Sequence, residues 1–218
     1  MWRVADLGCG AGISSDGYAG AGFLVTGFDN DPKVAKHYPY KFELADMQDI
    51  PAAFLRENFD LVHLGAPCQR WSKMLACRPG LNLEYPDLIT PMRPVLIESE
   101  LPYVIENVEG SPLTDPIWLC GFMFGKELYR HRGFETGGGL TVPPLRHPEH
   151  VKRASKAGHW EEGTVMSIAG HVAPIGMARE LMGMTRYVPR EQLTEAAPAY
   201  YTAYVAAHAQ AWLSREAA

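Results

Sequence analysis

The first half of the chain alternates short apolar segments with longer mixed ones, and each apolar segment closes on a glycine, an acid or an asparagine. That rhythm predicts strands over Arg3–Leu7, Leu24–Phe28, Lys41–Ala45, Asp60–Gly65 and Pro102–Asn107, with helices over Ile50–Asn58 and Asp87–Ser99. A further helix is expected to begin near Ser14-Ser15, whose hydroxyls can cap it, and another at Pro32. Strand–helix alternation at this spacing is the α/β pattern and requires a mostly parallel sheet with helices on both faces. Ligands of such sheets bind beyond the carboxyl ends of the strands. The loops after Leu7, Phe28, Ala45, Leu64 and Ile105 should therefore line one crevice.

Downstream the rhythm changes. Gly137 to about Gly163, with its GGG, PP and basic histidine-containing stretches, reads as a loop-rich insertion without a core of its own. Pro174–Met182, Arg190–Glu195 and Pro198–Leu213 read as helices, the last carrying Tyr200, Tyr201, Tyr204 and Trp212. There is no internal repeat, and 218 residues suit a single domain spanning 1–218.

An apolar fraction of 47 % with 21 % charged residues excludes general disorder, and no apolar run is long enough to span a bilayer. Asp6 follows the initiating Met too closely for a secretory signal, and Cys9, Cys68, Cys77 and Cys120 form no disulfide or paired zinc framework. A reducing, cytoplasmic setting is expected. The net charge of −5 is not that of a strong non-specific nucleic-acid binder. It is uneven, however: Lys126–Lys156 carries a local +4 and the remainder −9, so a polyanion must sit against that segment.

Asp6-Leu7-Gly8-Cys9-Gly10-Ala11-Gly12 ends a strand and opens a helix, which lets a ligand approach the backbone; a packing turn has the same punctuation. The acids that follow sharpen the choice. Asp29 closes the second strand, where an acid holds ribose hydroxyls, and Asp46 closes the third, placed for an adenine amino group. Asp6 would repel a pyrophosphate and attract an ammonium, which favours S-adenosylmethionine over NAD. Asn30, Met47, Gly65 and Pro67 flank these positions and complete the expected cofactor wall with Cys9 and Ala11.

Cys68 follows Pro67 on the loop after the fourth strand, where helix-terminal amides or Arg70 could favour a thiolate; Cys9, Cys77 and Cys120 otherwise read as packing. Glu106 ends the fifth strand facing the same crevice, and can serve as acid or hydrogen-bond partner or stand as a solvated loop acid. Arg130 and Arg132 alternate by two, so both should point to one face of a strand and grip a phosphate or carbonyl. His131, His147, His150, His159 and Cys120 could be drawn as a zinc site. His147-x-x-His150 lacks a matching second pair, so no metal is expected.

In this order DLGCGAG, FDNDP, ADMQDI, GAPCQRWS, VIENVEG, YRHRGFE, ARELMGM and APAYYTAYV resemble the cytosine C5 DNA methyltransferase family, in particular its compact phage and bacterial members. The resemblance covers nearly all of the chain except Gly137–Gly163. It implies a Rossmann-like class I S-adenosylmethionine-dependent methyltransferase acting on double-stranded DNA as a monomer, with a separate specificity partner left open. Carried onto this sequence, Cys68 matches the nucleophile and Glu106 the acid that contacts cytosine N3 and N4. Arg132, with Arg130, matches the arginines that hold the base and its backbone. Gly8, Gly10 and Gly12 match the methionine-side loop, Asp29 the ribose acid and Asp46 the adenine contact, while Gln69, Ser72 and Asn107 fall on the substrate side.

Three departures from the family pattern stand out. Gly8 replaces an aromatic that stacks on adenine, Leu128 replaces a glutamine before the arginines, and Gly137–Gly163 stands in place of a full target-recognition domain. Arg146, Lys152, Arg153 and Lys156 are left to meet phosphates, with His147 or His150 for a base edge, which implies a short or lax recognition sequence and strong salt dependence. Methylation of a free cytosine nucleotide, methylation of RNA, and a catalytically silent binding module are the alternative readings.

Overall fold

In a computed structural model, residues 1–72, 85–156, 159–168 and 172–218 are described. Five strands, β1 (Arg3–Leu7), β2 (Leu24–Asp29), β3 (Lys41–Leu44), β4 (Leu61–Gly65) and β5 (Tyr103–Asn107), pair in parallel. Two more, β6 (Ile117–Leu119) and β7 (Arg132–Gly137), close the sheet antiparallel, giving the order β3-β2-β1-β4-β5-β7-β6. The order reverses between β1 and β4. Their carboxyl-end loops therefore diverge around a crevice, the place where such sheets bind ligands.

Because successive strand residues face opposite ways, the sheet sorts its apolar side chains into two cores. Val4, Leu61, Val104 and Phe134 face α1 (Ile13–Gly20) and α6 (Ala199–Glu216), meeting Tyr18, Tyr201, Val205 and Ala209. Ala5, Val62, Leu64 and Ile105 face α2 (Ala52–Asn58) and α3 (Ile89–Glu98), meeting Leu55, Ile89, Met92 and Leu96. Each fully buried leucine or isoleucine contributes about 1.5–3 kcal/mol. A third cluster, with Ile13, Leu128, Met166, Met182 and Leu193, fixes α4 (Ile175–Leu181) and α5 (Arg190–Glu195) over the glycine loop. At the far edge, Arg93 grips both carboxylate oxygens of Glu135 at 2.8 Å and so ties α3 to β7.

Several local expectations are corrected. Gly12, in a left-handed conformation, is the N-cap of α1; the Ser15 hydroxyl instead bonds the buried Asp6 carboxyl. After Pro32 there is no full helix, only one 3-10 turn over Ala35–His37. Between β7 and α4 the described residues form isolated bridges, including Ala154 with Val165, and no helix or named strand. Among the described residues, no helix is long and apolar enough to cross a membrane.

Candidate active site

The crevice between β1 and β4 holds a cavity of about 260 Å³. Its wall contains Asp6, Gly8, Cys9, Gly10 and Ala11 from the first loop, then Asp29, Asn30, Asp46 and Met47 from the next two strand ends. Gly65, Pro67, Cys68, Gln69 and Glu106 complete the opposite side. Gly12, Ser72, Asn107, Arg130 and Arg132 are not part of this wall.

The glycine loop is bound from both ends of the chain. Asp29 accepts the Gly10 N–H at 2.9 Å and the Asp31 N–H at 3.0 Å, so one job of this acid is to shape the loop. Gln192, on α5, accepts the Ala11 N–H at 2.9 Å. Asp46 caps the next turn by accepting the Gln48 N–H and also holds the Asn30 amide at 3.0 Å. Gly8 has φ +75, and a Cβ there would lie 2.5 Å from the Gly65 carbonyl oxygen and 2.9 Å from the Met47 methyl. An aromatic at position 8 has no room in this packing; the Met47 thioether occupies that side of the wall.

Asp6 differs from the anion expected from sequence. It is buried, bonded to Ser15, and desolvation pushes its carboxyl up to about 7, with the charges of Asp29 and Asp16 acting in the same direction. Beside it His63, buried on β4, is pushed down to about 4 by desolvation, so its ring is neutral. Its Nδ1 meets the Tyr18 hydroxyl at 3.1 Å while Nε2 has no partner in the cavity wall.

Cys68 is half-buried at the mouth of the cavity, immediately before a 3-10 turn over Gln69–Trp71. Arg70 does not serve it: that guanidinium donates to the Tyr85 carbonyl at 2.9 Å and lies over the Trp71 ring. The guanidinium that interacts electrostatically with Cys68 is that of Arg130. Asn107 is fully buried and donates to the Ala66 carbonyl at 2.9 Å while accepting the Val108 N–H. It positions the cysteine loop and is not exposed for a substrate contact, contrary to the expectation from sequence. Gln69 donates to Glu195 at 3.0 Å, joining the same loop to α5.

The two arginines do not share a strand face. Only Arg132 lies in β7, with its Nε 2.9 Å from Glu106 Oε1, an ion pair without the alignment of a hydrogen bond. Arg130 precedes the strand and is spent on carbonyls, donating to Ile168 at 2.7 Å and to Ala196 and Thr194 at 2.9 Å. Burial lowers its pKa to about 9, and the neighbouring Arg132 charge adds to this. A guanidinium so engaged anchors α5 and cannot grip a phosphate. Of the basic insertion, Lys152 pairs with Glu127 at 2.6 Å and Arg153 with Glu161 at 3.5 Å, all exposed; Arg146 and Lys156 are exposed as well. Cys77 lies outside the described residues.

Gln192, His63 and Glu195 escape a reading of the sequence. Gln192 and Glu195 reach the site through tertiary contact with loops more than a hundred residues away, whereas His63 enters it from within β4, where it reads as one more strand residue.

A parallel sheet reversing at β1 and β4, with a glycine loop after one strand and a cysteine loop after the other, defines a class I methyltransferase fold. The chain is similar in fold to a methyltransferase described as a putative DNA modification enzyme encoded within an E. coli prophage, at 14% identity over 99% of this chain and 100% of that one, TM-score 0.70. It is also similar to DNMT2 of Spodoptera frugiperda (11% identity, 96% and 100% covered, TM-score 0.68) and to EhMeth of Entamoeba histolytica (11%, 98% and 99%, 0.64). No curated protein sequence matches it. Residues 2–111, half of the chain, match the model of the C-5 cytosine-specific DNA methylases, and the chain belongs to that family.

Proposed function

We propose that this protein transfers a methyl group from S-adenosylmethionine to C5 of a cytosine in double-stranded DNA, through transient addition of Cys68 to C6 of the ring. The observation that carries this reading is that Cys68 and Glu106 share one cavity wall with the glycine loop, Asp29 and Asp46. Those residues fit the cofactor. Gly8 leaves the backbone bare, and the unpartnered His63 Nε2 offers a buried polar atom. When bound, the cofactor supplies an electrophilic sulfonium methyl.

The protein's own residues supply the rest. Cytosine C5 is too weak a nucleophile to take a methyl unaided. Attack by Cys68 on C6, with Glu106 at N3, gives C5 the electron density it needs. Loss of the C5 proton and expulsion of the sulfur then restore the ring. Arg132 holds the Glu106 carboxylate in register, and Asn107 holds the loop that carries the sulfur. C6 is hidden in a stacked base, so the target must leave the duplex, at a cost of a few kcal/mol.

Tritiated methyl transfer to duplex DNA, to RNA and to dCMP in parallel tests the reading. Label in DNA alone is expected, with Cys68→Ser inactive but still binding cofactor and Glu106→Gln losing rate far more than affinity. Substantial turnover by Cys68→Ser would refute covalent catalysis, and label only in RNA or dCMP would refute the substrate.

A further inference from the structure

We propose that Cys120, His131, His147 and His150 form a zinc site that fastens the basic insertion to the edge of the sheet. One donor atom from each lies within 4.8 Å of the other three. Sequence spacing hid the set because it comes from three separate places. Cys120 directly follows β6, His131 directly precedes β7, and His147 and His150 lie on the loop beyond β7. His159, the remaining candidate from sequence, is not among the four donors.

Two of the donor–donor separations can be set directly against those of a tetrahedral ion. Zinc–nitrogen and zinc–sulfur bonds of about 2.0–2.1 and 2.3 Å place tetrahedral nitrogens roughly 3.4 Å apart and nitrogen and sulfur roughly 3.6 Å apart. Here His131 Nε2 and His147 Nε2 are 2.9 Å apart, and Cys120 Sγ and His150 Nε2 3.4 Å apart. These two pairs fall short of the tetrahedral values by about 0.5 and 0.2 Å, and the other pairs lie within 4.8 Å, so modest side-chain rotation brings the four donors around an ion.

The supporting shell fits as well. His147 Nδ1 lies 2.7 Å from the Pro148 carbonyl, which fixes the tautomer that leaves Nε2 free to ligate. Phe122 and Tyr129 pack their rings 4.6 Å from that of His150 and hold it toward the sulfur.

Three imidazoles and a thiolate select a borderline-soft cation over magnesium or calcium, and four protein ligands leave no open position, so the site is structural. Binding sends the thiol proton to solvent. The need for such a clasp is local. Leu140 and Val142 seat the start of the insertion in the core and Ala154 bridges to Val165, but between them Arg146–Arg153 is mostly exposed and lacks regular structure.

Elemental analysis of the intact protein, produced with zinc in the medium and desalted, is expected to find one zinc per chain. Replacement by cobalt(II) should give a thiolate-to-cobalt charge-transfer band and the intense visible bands of a tetrahedral ion. Loss of a ligand's hydrogen-bond partner already weakens metal binding roughly 10- to 100-fold. His147→Gln, which alters an exposed side chain, should therefore weaken zinc binding by at least that much in competition with a chromophoric chelator. Cys120→Ser should abolish the charge-transfer band, and His159→Ala should keep both metal and spectrum. Should Cys120→Ser misfold, His147→Gln decides. Absence of cobalt binding by the intact chain, or undiminished zinc affinity in His147→Gln, overturns the proposal, and neither readout depends on methyl transfer.

Discussion

Replacing Arg132 with methionine leaves the largely buried Glu106 carboxylate without its ion-pair partner. The two side chains are 5% and 9% exposed, and Arg132 has one further partner, the Glu195 carbonyl at 3.0 Å. Breaking a buried pair by removing one member costs about 3–5 kcal/mol, chiefly as the penalty on the charge left behind. For a chain of this size each kcal/mol lowers Tm by roughly 2–4 °C, so Arg132→Met should melt about 6–20 °C lower. Glu106→Gln, which keeps the shape and one acceptor, should cost less. The double variant should fall short of the sum by about 0.5–3 kcal/mol, because the second change removes the charge the first one stranded. Urea unfolding measures this as a shift in midpoint at unchanged slope. Arg132→Met within about 1 kcal/mol of wild type, or strict additivity in the double, would refute the coupling.

The remaining predictions concern titration, positioning and DNA. With its folded pKa raised from 3.8 to about 7, Asp6 contributes stability that is full at low pH and disappears as pH rises through about 7. His63, lowered from 6.5 to about 4, works the other way, losing its contribution as pH falls through that range. The difference in Tm between Asp6→Asn and wild type isolates the first effect: the variant should gain relative to wild type from about pH 4 to about pH 7, and a flat difference would show that Asp6 is not held protonated. Asn107→Ala frees the Ala66 carbonyl, and an ångström of drift in the cysteine loop should cost up to about 100-fold in kcat with cofactor affinity retained; equal loss of both would point to general collapse of the crevice. Replacing Arg146, Lys152, Arg153 and Lys156 together should reduce the salt slope of DNA binding by about 0.9 for each phosphate no longer neutralised. An unchanged slope would place the DNA elsewhere.

The parts of this fold that can be read from sequence are those whose causes are local. Each parallel strand carries its own apolar run and its own terminating glycine or acid, so β1 to β5 lie within a residue or two of where their sequence patterns put them. Cys68 and Glu106 are legible for the same reason, being strand-end residues whose crevice follows from the topology. Position alone does not say what competes for a side chain. Asp6 looks like a free anion until its burial beside Ser15 is seen, Asn107 like a substrate contact until the Ala66 carbonyl claims it, and Arg130 like a phosphate clamp until three carbonyls do. The Gly12 cap has a similar cause: Ser15 has a stronger use inside the sheet than at the helix end.

Gln192 and Arg186 reach back to Ala11, one to its N–H and the other to its carbonyl oxygen. On the ribosome these two grips emerge some 175 and 181 residues after the loop they hold. A nascent polypeptide halted before Arg186 therefore has its early strands but not the clamp on its glycine turn, and competence to load a small molecule should come only once Gln192 has emerged.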